Sequence, residues 1–504
     1  MLPILATEHT PSILNRQRRT VHSSKSLFLT IDQGGHASRA LVYDMHGDVV
    51  ANCSAALTTR HPHAHFVEHD AQALLNSIRQ SLLDVFNELG ERAKHIEAAG
   101  LATQRSNIVC WDKHSGEALS PVISWQDTRG HEWLAKLNLD REDIHKTTGL
   151  FPSAHYGASK IRWCLDNLEA VKKARQDGRL CCGPMSSFIV HHLIDSRPNL
   201  ADPVSASRTL LWHLHRKDWD QHLLDRFEIA RDILPACVPT RHQYGDLKIN
   251  DYTIPLTLVT GDQSAAMYAY GQLQYDTAYV NAGTGAFVSR PSGYALTYAR
   301  RLLTSVIYSN EEESQYVMEG TVNGAGSAIE WLQSQMPVTD LWQQLPHWLD
   351  EITNPPLFLN GVSGLAAPYW LSEFETELEY GAEPAANYVA VIESIVFLLH
   401  ANVQEMMKFA SHPEQLQITG GLAKLDGLCQ RLADLTRLPV YRPVECEATA
   451  RGTAYLIAEK PRQWPESQHG VWFKPVNNAI LDTRFLLWEQ AMLQRMRKQE
   501  ESDG

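Results

Sequence analysis

The fold of the first half of this chain is decided by the stretch Leu27-Phe28-Leu29-Thr30-Ile31-Asp32-Gln33-Gly34-Gly35. Its apolar run predicts a buried β-strand, and Asp32 follows the last apolar residue. Paired glycines then predict a tight corner, because glycine allows backbone N–H groups to approach an anion without a Cβ in the way. The stretch therefore predicts a carboxylate and a phosphate-sized corner at the end of one strand.

Strands and a helix continue outward from this corner. Asp70 is a favourable N-cap residue, and apolar residues keep helical spacing from there until Gly90 ends the helix. A glycine-cornered meander, a helix and further strands alternate, which is typical of an α/β protein. The predicted strands of this half cover residues 27–31, 38–43, 49–56, 98–102, 108–111 and 256–260.

The second half repeats the arrangement of a strand that ends in a glycine corner. A predicted strand over residues 277–281 enters the corner Ala282-Gly283-Thr284-Gly285, and a second strand leaves through residues 286–289. Each corner alone is typical of an ordinary turn. Their recurrence after similar strands indicates a duplicated α/β unit with a nucleotide between the copies.

Glycines also precede two predicted helices of the second half. Residues 319–326 open a helix whose N-terminal N–H groups would favour an anion. The strand 416–419 runs into Gly420-Gly421, which would offer a flat surface to an adenine ring or, equally, allow close packing of the strand on the next helix. These residues alone leave both interpretations open.

The composition excludes several classes of protein. The chain has 504 residues, with 45 Lys and Arg against 58 Asp and Glu and a net charge of −13. A negative total disfavours nonspecific binding to nucleic acid or to anionic membranes. The apolar helix at 388–407 is interrupted by polar residues such as Glu393 and His400, so we expect a buried packing helix rather than a membrane span. A catalyst or small-molecule binder remains.

Three other features have plain interpretations. The 8 cysteines are scattered, which favours reduced thiols of a cytosolic protein. His61, His63 and His65 alternate ahead of Glu68 and could hold a metal, although a solvated loop is the favoured interpretation. Residues 1–25 are expected to form a disordered tail, with a targeting peptide as the alternative.

Taken in order along the chain, the motifs resemble those of the FGGY carbohydrate kinases, and among them the glycerol kinases are the most similar. No single motif is specific, but their colinear order makes an accidental match improbable. The motifs are Asp32-Gln33-Gly34, Val67-Glu68-His69-Asp70, Thr103-Gln104-Arg105, Ser124-Trp125-Gln126-Asp127-Thr128-Arg129, Ser207-Arg208-Thr209, Gly261-Asp262-Gln263-Ser264, Gly283-Thr284-Gly285, Ser363-Gly364-Leu365-Ala366-Ala367-Pro368-Tyr369-Trp370, Gly420-Gly421 and Ala448-Thr449-Ala450-Arg451-Gly452-Thr453.

The resemblance implies an α/β protein with two ribonuclease-H-like domains of the actin/hexokinase type around a central cleft. It places the N-terminal domain, with the acceptor and Mg²⁺, at residues 26–268 and the C-terminal domain, with the nucleotide, at residues 269–504. It further implies a cytoplasmic enzyme that uses ATP and Mg²⁺ to phosphorylate a small polyol or sugar. Homodimers and homotetramers are both compatible with it.

The chemistry of such a reaction can be argued from residue types. An alcohol is a poor nucleophile, so a carboxylate that accepts its proton accelerates the attack. Asp262 follows the predicted strand 256–260 and precedes small residues that open a helix, so it is either the general base or only a helix cap. Asp32 is either a ligand of hydrated Mg²⁺ or a turn residue.

Site residues are carried over from the family one by one. The resemblance implies that Asp262 is catalytic and that Asp32 and Asp262 serve the metal. It assigns the acceptor to Arg105, Ser106, Trp125, His155, Asp262, Gln263 and Phe287. It assigns ATP to Gly34, Gly35, His36, Arg39, Thr284, Gly285, Gly326, Glu330, Gly421 and Leu422.

Five residues depart from the glycerol kinase pattern. Ser106 replaces a glutamate, His155 replaces a tyrosine with Tyr156 adjacent, Gly35-His36 replaces a threonine pair, and Leu425 replaces an asparagine near adenine. Two alternatives to glycerol phosphorylation follow, a kinase for a ketose or another polyol and a catalytically impaired regulator that binds nucleotide or sugar. The region before Ile254 lacks a Gly-x-Arg loop, so we expect no inhibition by a sugar bisphosphate.

Overall fold

The computed structural model describes residues 25–371, 373–379, 383–444, 447–461, 464 and 470–502. The tail predicted at the N-terminus therefore lies, except for Lys25, outside the described residues.

The first half is built around one twisted sheet. The strands of this half are β1 Leu27–Gln33, β2 Ala37–Asp44, β3 Val49–Ala56, β4 Glu68–His69, β5 Ile96–Thr103, β6 Ile108–Asp112, β7 Val122–Ile123, β8 Leu180–Pro184, β9 Leu200–Ala201, β10 Trp212–His213, β11 Asp218–Trp219, β12 Ala236–Cys237, β13 Arg241–Ile249 and β14 Tyr252–Gly261. Its helices are α1 Ala71–Leu89, α2 His131–Lys136, α3 Arg141–Thr148, α4 Gly157–Asn167, α5 Glu169–Gln176, α6 Met185–Leu193, α7 Pro203–Ala206, α8 Gln221–Arg226 and α9 Asp262–Ala266, with 3₁₀ turns at Gly90–His95, Ser207–Thr209 and Arg231–Ile233.

The second half has its own sheet. Its strands are β15 Thr277–Ala282, β16 Ala286–Gly293, β17 Leu303–Ser309, β18 Ser314–Val322, β19 Phe358–Leu359, β20 Glu377–Leu378, β21 Gln415–Thr419, β22 Val440–Pro443 and β23 Gly470–Phe473. Its helices are α10 Gly326–Gln335, α11 Leu341–Glu351, α12 Pro384–Met407, α13 Asp426–Thr436, α14 Ala448–Ile457 and α15 Ala479–Ser502, with a 3₁₀ turn at Gly421–Lys424.

Both sheets follow one plan. Among the described residues the first has the order β13-β14-β5-β1-β2-β3 and the second the order β17-β18-β16-β15-β21-β22-β23. In each, an antiparallel meander adjoins parallel strands, with β1 parallel to β5 and β15 parallel to β21. The predicted duplication of an α/β unit is therefore confirmed by the topology, and the predicted strands agree with the observed ones to within a few residues.

Local signals of the sequence act as expected. Asp70 caps α1 by accepting a hydrogen bond from Ala73 N at 2.8 Å, and Gly90 ends the helix at φ 55°. Helix α12 is long and apolar enough to cross a membrane, but 94% of its most apolar window is buried in the protein, as in a core helix. It packs in the apolar core of the second half, which agrees with the predicted packing helix.

The halves meet where α14 lies on α9 and on the face of β1 and β5. Gly452 makes this approach possible, because a Cβ built there would lie 1.8 Å from Ala265 O. The Arg451 guanidinium extends the junction by donating to Ala269 O at 2.7 Å and to Gly47 O at 3.1 Å. One helix of the second half thus fixes the end of the first half on which Asp262 lies.

Gly452→Ala is expected to lower the stability of the protein, since the new methyl group would overlap a backbone carbonyl that cannot rotate away. Overpacking of this kind costs roughly 1–3 kcal/mol. Gly421→Ala is the matched control, because nothing lies within 4 Å of a Cβ at that position. Thermal unfolding of both variants checks the prediction, and equal melting temperatures would contradict the close approach.

Candidate active site

The site begins at one edge of the first sheet. Strands β1, β5 and β14 are parallel neighbours, and Gln33, Thr103 and Gly261 lie in register across them. Because parallel strands end at the same edge, Asp32 and Asp262 are delivered to one crevice on either side of β5. Gly261 occupies the N-cap position of α9 and Asp262 begins the helix. Asp262 is therefore not the capping residue of α9.

The carboxylates of this crevice are poorly compensated. Burial, together with the charge of Asp262, raises the pKa of Asp32 to about 7, although Arg39 opposes the shift. Burial likewise raises the pKa of Asp262, and Arg105 opposes it. The Arg39 Nη1 atom lies 3.9 Å from Asp32 Oδ2 but 2.7 Å from Glu447 Oε2 at the start of α14. Such a pair of carboxylates suits a cation.

Both glycine corners present backbone amides. Within the described residues, the amides of Gly35 and His36 donate no hydrogen bond, and those of Thr284 and Gly285 donate none either. His36 and Thr284 are exposed, and Gly34 and Gly285 are half-buried. Each corner can therefore direct consecutive N–H groups at a phosphate.

The predicted anion site at the start of α10 is corrected by the structure. The amide of Gly326 donates to Gly283 O at 2.9 Å, and that of Ser327 donates to Thr284 O at 3.0 Å. The amide of Ala325 also donates to Thr284 O, at 3.3 Å. These groups hold the second corner in place and are not free for an anion, which the sequence pattern could not reveal.

The acceptor residues nearest the carboxylates form a buried ionic network. Arg105 donates to Gln263 Oε1 and, at 3.2 Å from each of its terminal nitrogens, to Glu319 Oε1. Arg208 contacts the other oxygen of Glu319 and donates to Ser305 Oγ at 2.7 Å. Glu319 is 2% exposed and comes from β18 of the second half, so residues of both halves hold Arg105 in place.

A cleft lies beside this network. Gln263 from α9 and Phe287 from β16 line a cavity of about 40 Å³ together with residues of β15 and β21. The amide of Gln263 donates to Asp262 Oδ1 at 2.7 Å. Gln263 thus lies beside Phe287 in the cavity and contacts Asp262, which does not itself line the cavity.

The remaining acceptor residues are joined to one another. His155 Nδ1 lies 3.1 Å from Trp125 O, and the amide of Trp125 donates to Asn107 Oδ1 at 2.7 Å. Trp125, His155 and Ser106 are half-buried, and Ser106 has a left-handed backbone with φ 66°. Tyr156, not His155, contacts Arg208 and lies beside Arg105.

The positions assigned to the nucleoside differ in character. Glu330 is exposed on α10, and Gly421 is exposed with open space around it. Gly420 has φ 95° and packs on Ala282, where a Cβ would lie 2.4 Å from the carbonyl oxygen. Gly420 thus allows close packing on β15 rather than on the next helix, and the adenine surface at Gly421 stays a prediction. Leu422 is 4% exposed, so only its backbone can face a nucleotide.

Sequence reasoning assigned no role to four residues that shape this site, namely Tyr156, Lys160, Glu319 and Glu447. Arg208 lies within one of the motifs, and the resemblance implied no role for it either. The sequence signal for Lys160 and Glu319 is a charged residue within an otherwise apolar predicted strand or helix. Such a residue is rarely buried without a partner.

Comparison with known proteins identifies the family of the chain. Residues 27–268 match the N-terminal domain, and residues 278–459 the C-terminal domain, of the FGGY family of carbohydrate kinases. The chain is 30% identical over 449 residues to a glycerol kinase of Shewanella frigidimarina, which covers 87% of this chain and 90% of that protein.

Two solved structures are similar in fold. A Plasmodium falciparum glycerol kinase with ADP has a TM-score of 0.82 at 23% identity, covering 93% of this chain and 98% of that one. A ligand-bound xylulose kinase of Lactobacillus acidophilus has a TM-score of 0.77 at 18% identity, covering 94% and 98%.

The fold and the family match define a two-domain α/β phosphotransferase of the actin/hexokinase type. The chain belongs to the FGGY family of carbohydrate kinases. It is therefore an ATP-dependent enzyme that phosphorylates an alcohol group of a polyol or sugar.

Asp32→Asn is expected to stabilise the metal-free protein at pH 8 and to stabilise it clearly less at pH 5. The folded pKa of about 7 exceeds the ordinary 3.8, so the wild type loses stability as pH rises between these values. The gain at pH 8 should be on the order of a few kcal/mol. Thermal unfolding in EDTA measures it, with Asp251→Asn in an exposed turn as control. A gain of the same size at both pH values would contradict the assignment.

Proposed function

We propose that Asp262 is the general base that activates the acceptor hydroxyl for attack on the γ-phosphate of ATP. The observation that carries the proposal is the position of Asp262, half-buried at the shared strand edge beside Gln263 and across β5 from Asp32. Burial raises the pKa of Asp262, which brings a carboxylate closer to the range useful for a base.

In the proposed reaction, the acceptor hydroxyl loses its proton to an Asp262 oxygen as the acceptor oxygen bonds to the γ-phosphorus. The bond from that phosphorus to the bridging oxygen breaks, and ADP leaves. The free amides at Gly35-His36 and Thr284-Gly285 would donate to the phosphate oxygens, and Arg39 adds a positive charge on the same side. Arg105, Gln263 and Trp125 would orient the acceptor, with Ser106 and His155 beside it and Phe287 as the apolar wall.

Mg²⁺ fits the donor set of the crevice. Asp32 and Asp262 offer carboxylate oxygens whose charges are poorly compensated, and Mg²⁺ prefers oxygen ligands while keeping part of its water shell. The described residues contain no group of three His, Cys, Asp or Glu side chains that could hold a metal, so a resident all-protein cage is not expected. When bound, Mg²⁺ would supply positive charge to the phosphate oxygens.

The nucleotide is proposed to lie against the second half. The ADP named for the Plasmodium relative supports an adenine nucleotide as the ligand. Gly326, Glu330 and Gly421 would surround the nucleoside, and Leu422 would contribute its backbone. We also propose the division of the chain at residues 268 and 269. A cytoplasmic location is supported by the free thiols of the described cysteines, which are stable in a reducing compartment.

The acceptor is proposed to be a polyol or ketose larger than glycerol. Ser106 is shorter than the glutamate of the glycerol kinases and carries no charge. The pocket therefore has more room and lacks a carboxylate that could accept hydrogen bonds from the substrate. Both glycerol kinases and a xylulose kinase are among the similar proteins. A regulator without turnover remains the second candidate, favoured by the loss of hydroxyl donors at Gly35-His36.

A panel of acceptors separates these candidates. ADP release with MgATP should be measured for glycerol, erythritol, ribulose, xylulose and related polyols. We expect the highest kcat/KM for an acceptor with more carbons than glycerol. A preference for glycerol itself would overturn the proposed acceptor, and ATP binding without turnover on any member would favour the regulator.

Asp262→Asn is expected to lower kcat by roughly 10²- to 10⁴-fold, because asparagine cannot accept the proton. ATP affinity should stay within about threefold, since the amides of the corners remain. Steady-state kinetics and ATP titration measure both values, and Asp246→Asn at an exposed position of β13 is the control. Retention of normal turnover would show that another group is the base.

A further inference from the structure

Lys160 on α4 is a buried cation with an unusual set of partners. Its side chain is fully buried, and Nζ donates to Ser124 O at 2.7 Å, to His155 O at 2.7 Å and to Ser106 O at 3.2 Å. An ammonium group has three N–H donors. All of them are therefore used by backbone carbonyls.

The charge of Lys160 has no carboxylate of its own. Asp127 attracts it and Arg129 repels it, but Asp127 is already paired with Arg129 at 2.7 Å. His155 contributes only its carbonyl to the contact. Burial lowers the pKa of Lys160 to about 7, which reflects the cost of keeping the charge there. A buried charge that is expensive to keep calls for a role that an apolar residue could not fill.

The carbonyls that Lys160 binds come from three separate segments of the chain. One follows β5 at Arg105-Ser106, one follows β7 at Ser124-Trp125, and one precedes α4 at His155. Each of these segments carries a residue proposed to meet the acceptor. Lys160 is the point at which they join, since the same ammonium contacts all of them.

One of the segments needs such support. Ser106 has φ 66°, a left-handed conformation that costs a residue with a Cβ energy and persists only where its surroundings impose it. The hydrogen bond from Lys160 holds its carbonyl in this orientation. Arg105, which directly precedes Ser106, reaches Gln263 and Glu319.

We propose that Lys160 is the positioning residue of the acceptor pocket, because its ammonium fixes the segments of Ser106, Trp125 and His155 relative to one another. It sets acceptor affinity and selectivity without touching acceptor or nucleotide, since it is fully buried and its donors are occupied. The inference rests on the proposed function of this pocket. If Lys160 had a purely structural role, its replacement would lower the stability of the protein and leave the ratio of the KM values for acceptor and ATP unchanged.

Lys160→Met tests the proposal, because methionine is flexible and of similar length but cannot donate. We expect KM for the acceptor to rise roughly 10- to 100-fold, as misplaced binding groups do, while KM for ATP stays within about twofold. The kcat/KM values of the different acceptors in the panel should also become more alike. An unchanged acceptor KM would overturn the proposal.

Arg484→Met is the matched control for loss of stability. Arg484 is also buried, and its Nε donates to Glu393 Oε2 at 2.8 Å in the second half. Its loss should lower the melting temperature by leaving Glu393 with only the Arg431 guanidinium, 3.8 Å away, yet keep the ratio of the two KM values at that of the wild type. If Lys160→Met changes both KM values in parallel, as a general loss of stability would, Lys160 is structural only.

Hydrogen exchange separates this inference from the proposed function. In the free full-length enzyme, peptides covering residues 104–107, 123–127 and 153–157 should exchange faster in Lys160→Met, and not in Arg484→Met. This measurement needs no known acceptor. A wild type that phosphorylates no member of the panel would reject the proposed acceptor while the exchange result still decides the role of Lys160, and unchanged exchange in these peptides would overturn it.

Discussion

The parallel register of β14, β5 and β1 is the constraint on which the site depends. Parallel neighbours end at one edge, so residues that follow β1, β5 and β14 reach the same crevice although they are far apart along the chain. The arrangement has a cost, because it buries Asp32 near Asp262 and raises the pKa of both. Burying these two carboxylates lowers the stability of the folded protein, a cost that is common where charged groups are needed at catalytic sites.

The acceptor side depends on contacts between the two halves. Glu319 from β18 holds Arg105 and Arg208, which both come from the first half, in a buried network. Removing one member of such a network leaves an uncompensated buried charge, which costs about 3–5 kcal/mol. Arg39 and Glu447 form a second, more exposed contact between the halves beside Asp32. Movement of the halves would therefore reach the acceptor and phosphate groups directly.

Backbone groups shape much of the remaining site. The amides of Gly326 and Ser327 steady the second corner, which leaves the amides of Thr284 and Gly285 free for a phosphate. The carbonyls of Ser106, Ser124 and His155 meet on Lys160. Pairing buried polar groups in this way makes the pocket rigid, since each unmade hydrogen bond would carry a desolvation penalty.

The sequence by itself determined the local elements and the candidates for the reacting residues. The apolar run before Asp32, the cap at Asp70 and the recurring corners predicted the strands, α1 and the duplication, because these signals act over a few residues. Only the tertiary structure decided which amides are free at the corners, that Tyr156 rather than His155 contacts Arg208, and that Arg105 pairs with Glu319, 214 residues away. Backbone amides and carbonyls are alike at every position, so their pairing leaves no trace in the residue types. Long-range ion pairs depend on how the halves pack, and a single sequence does not encode that packing in any local pattern.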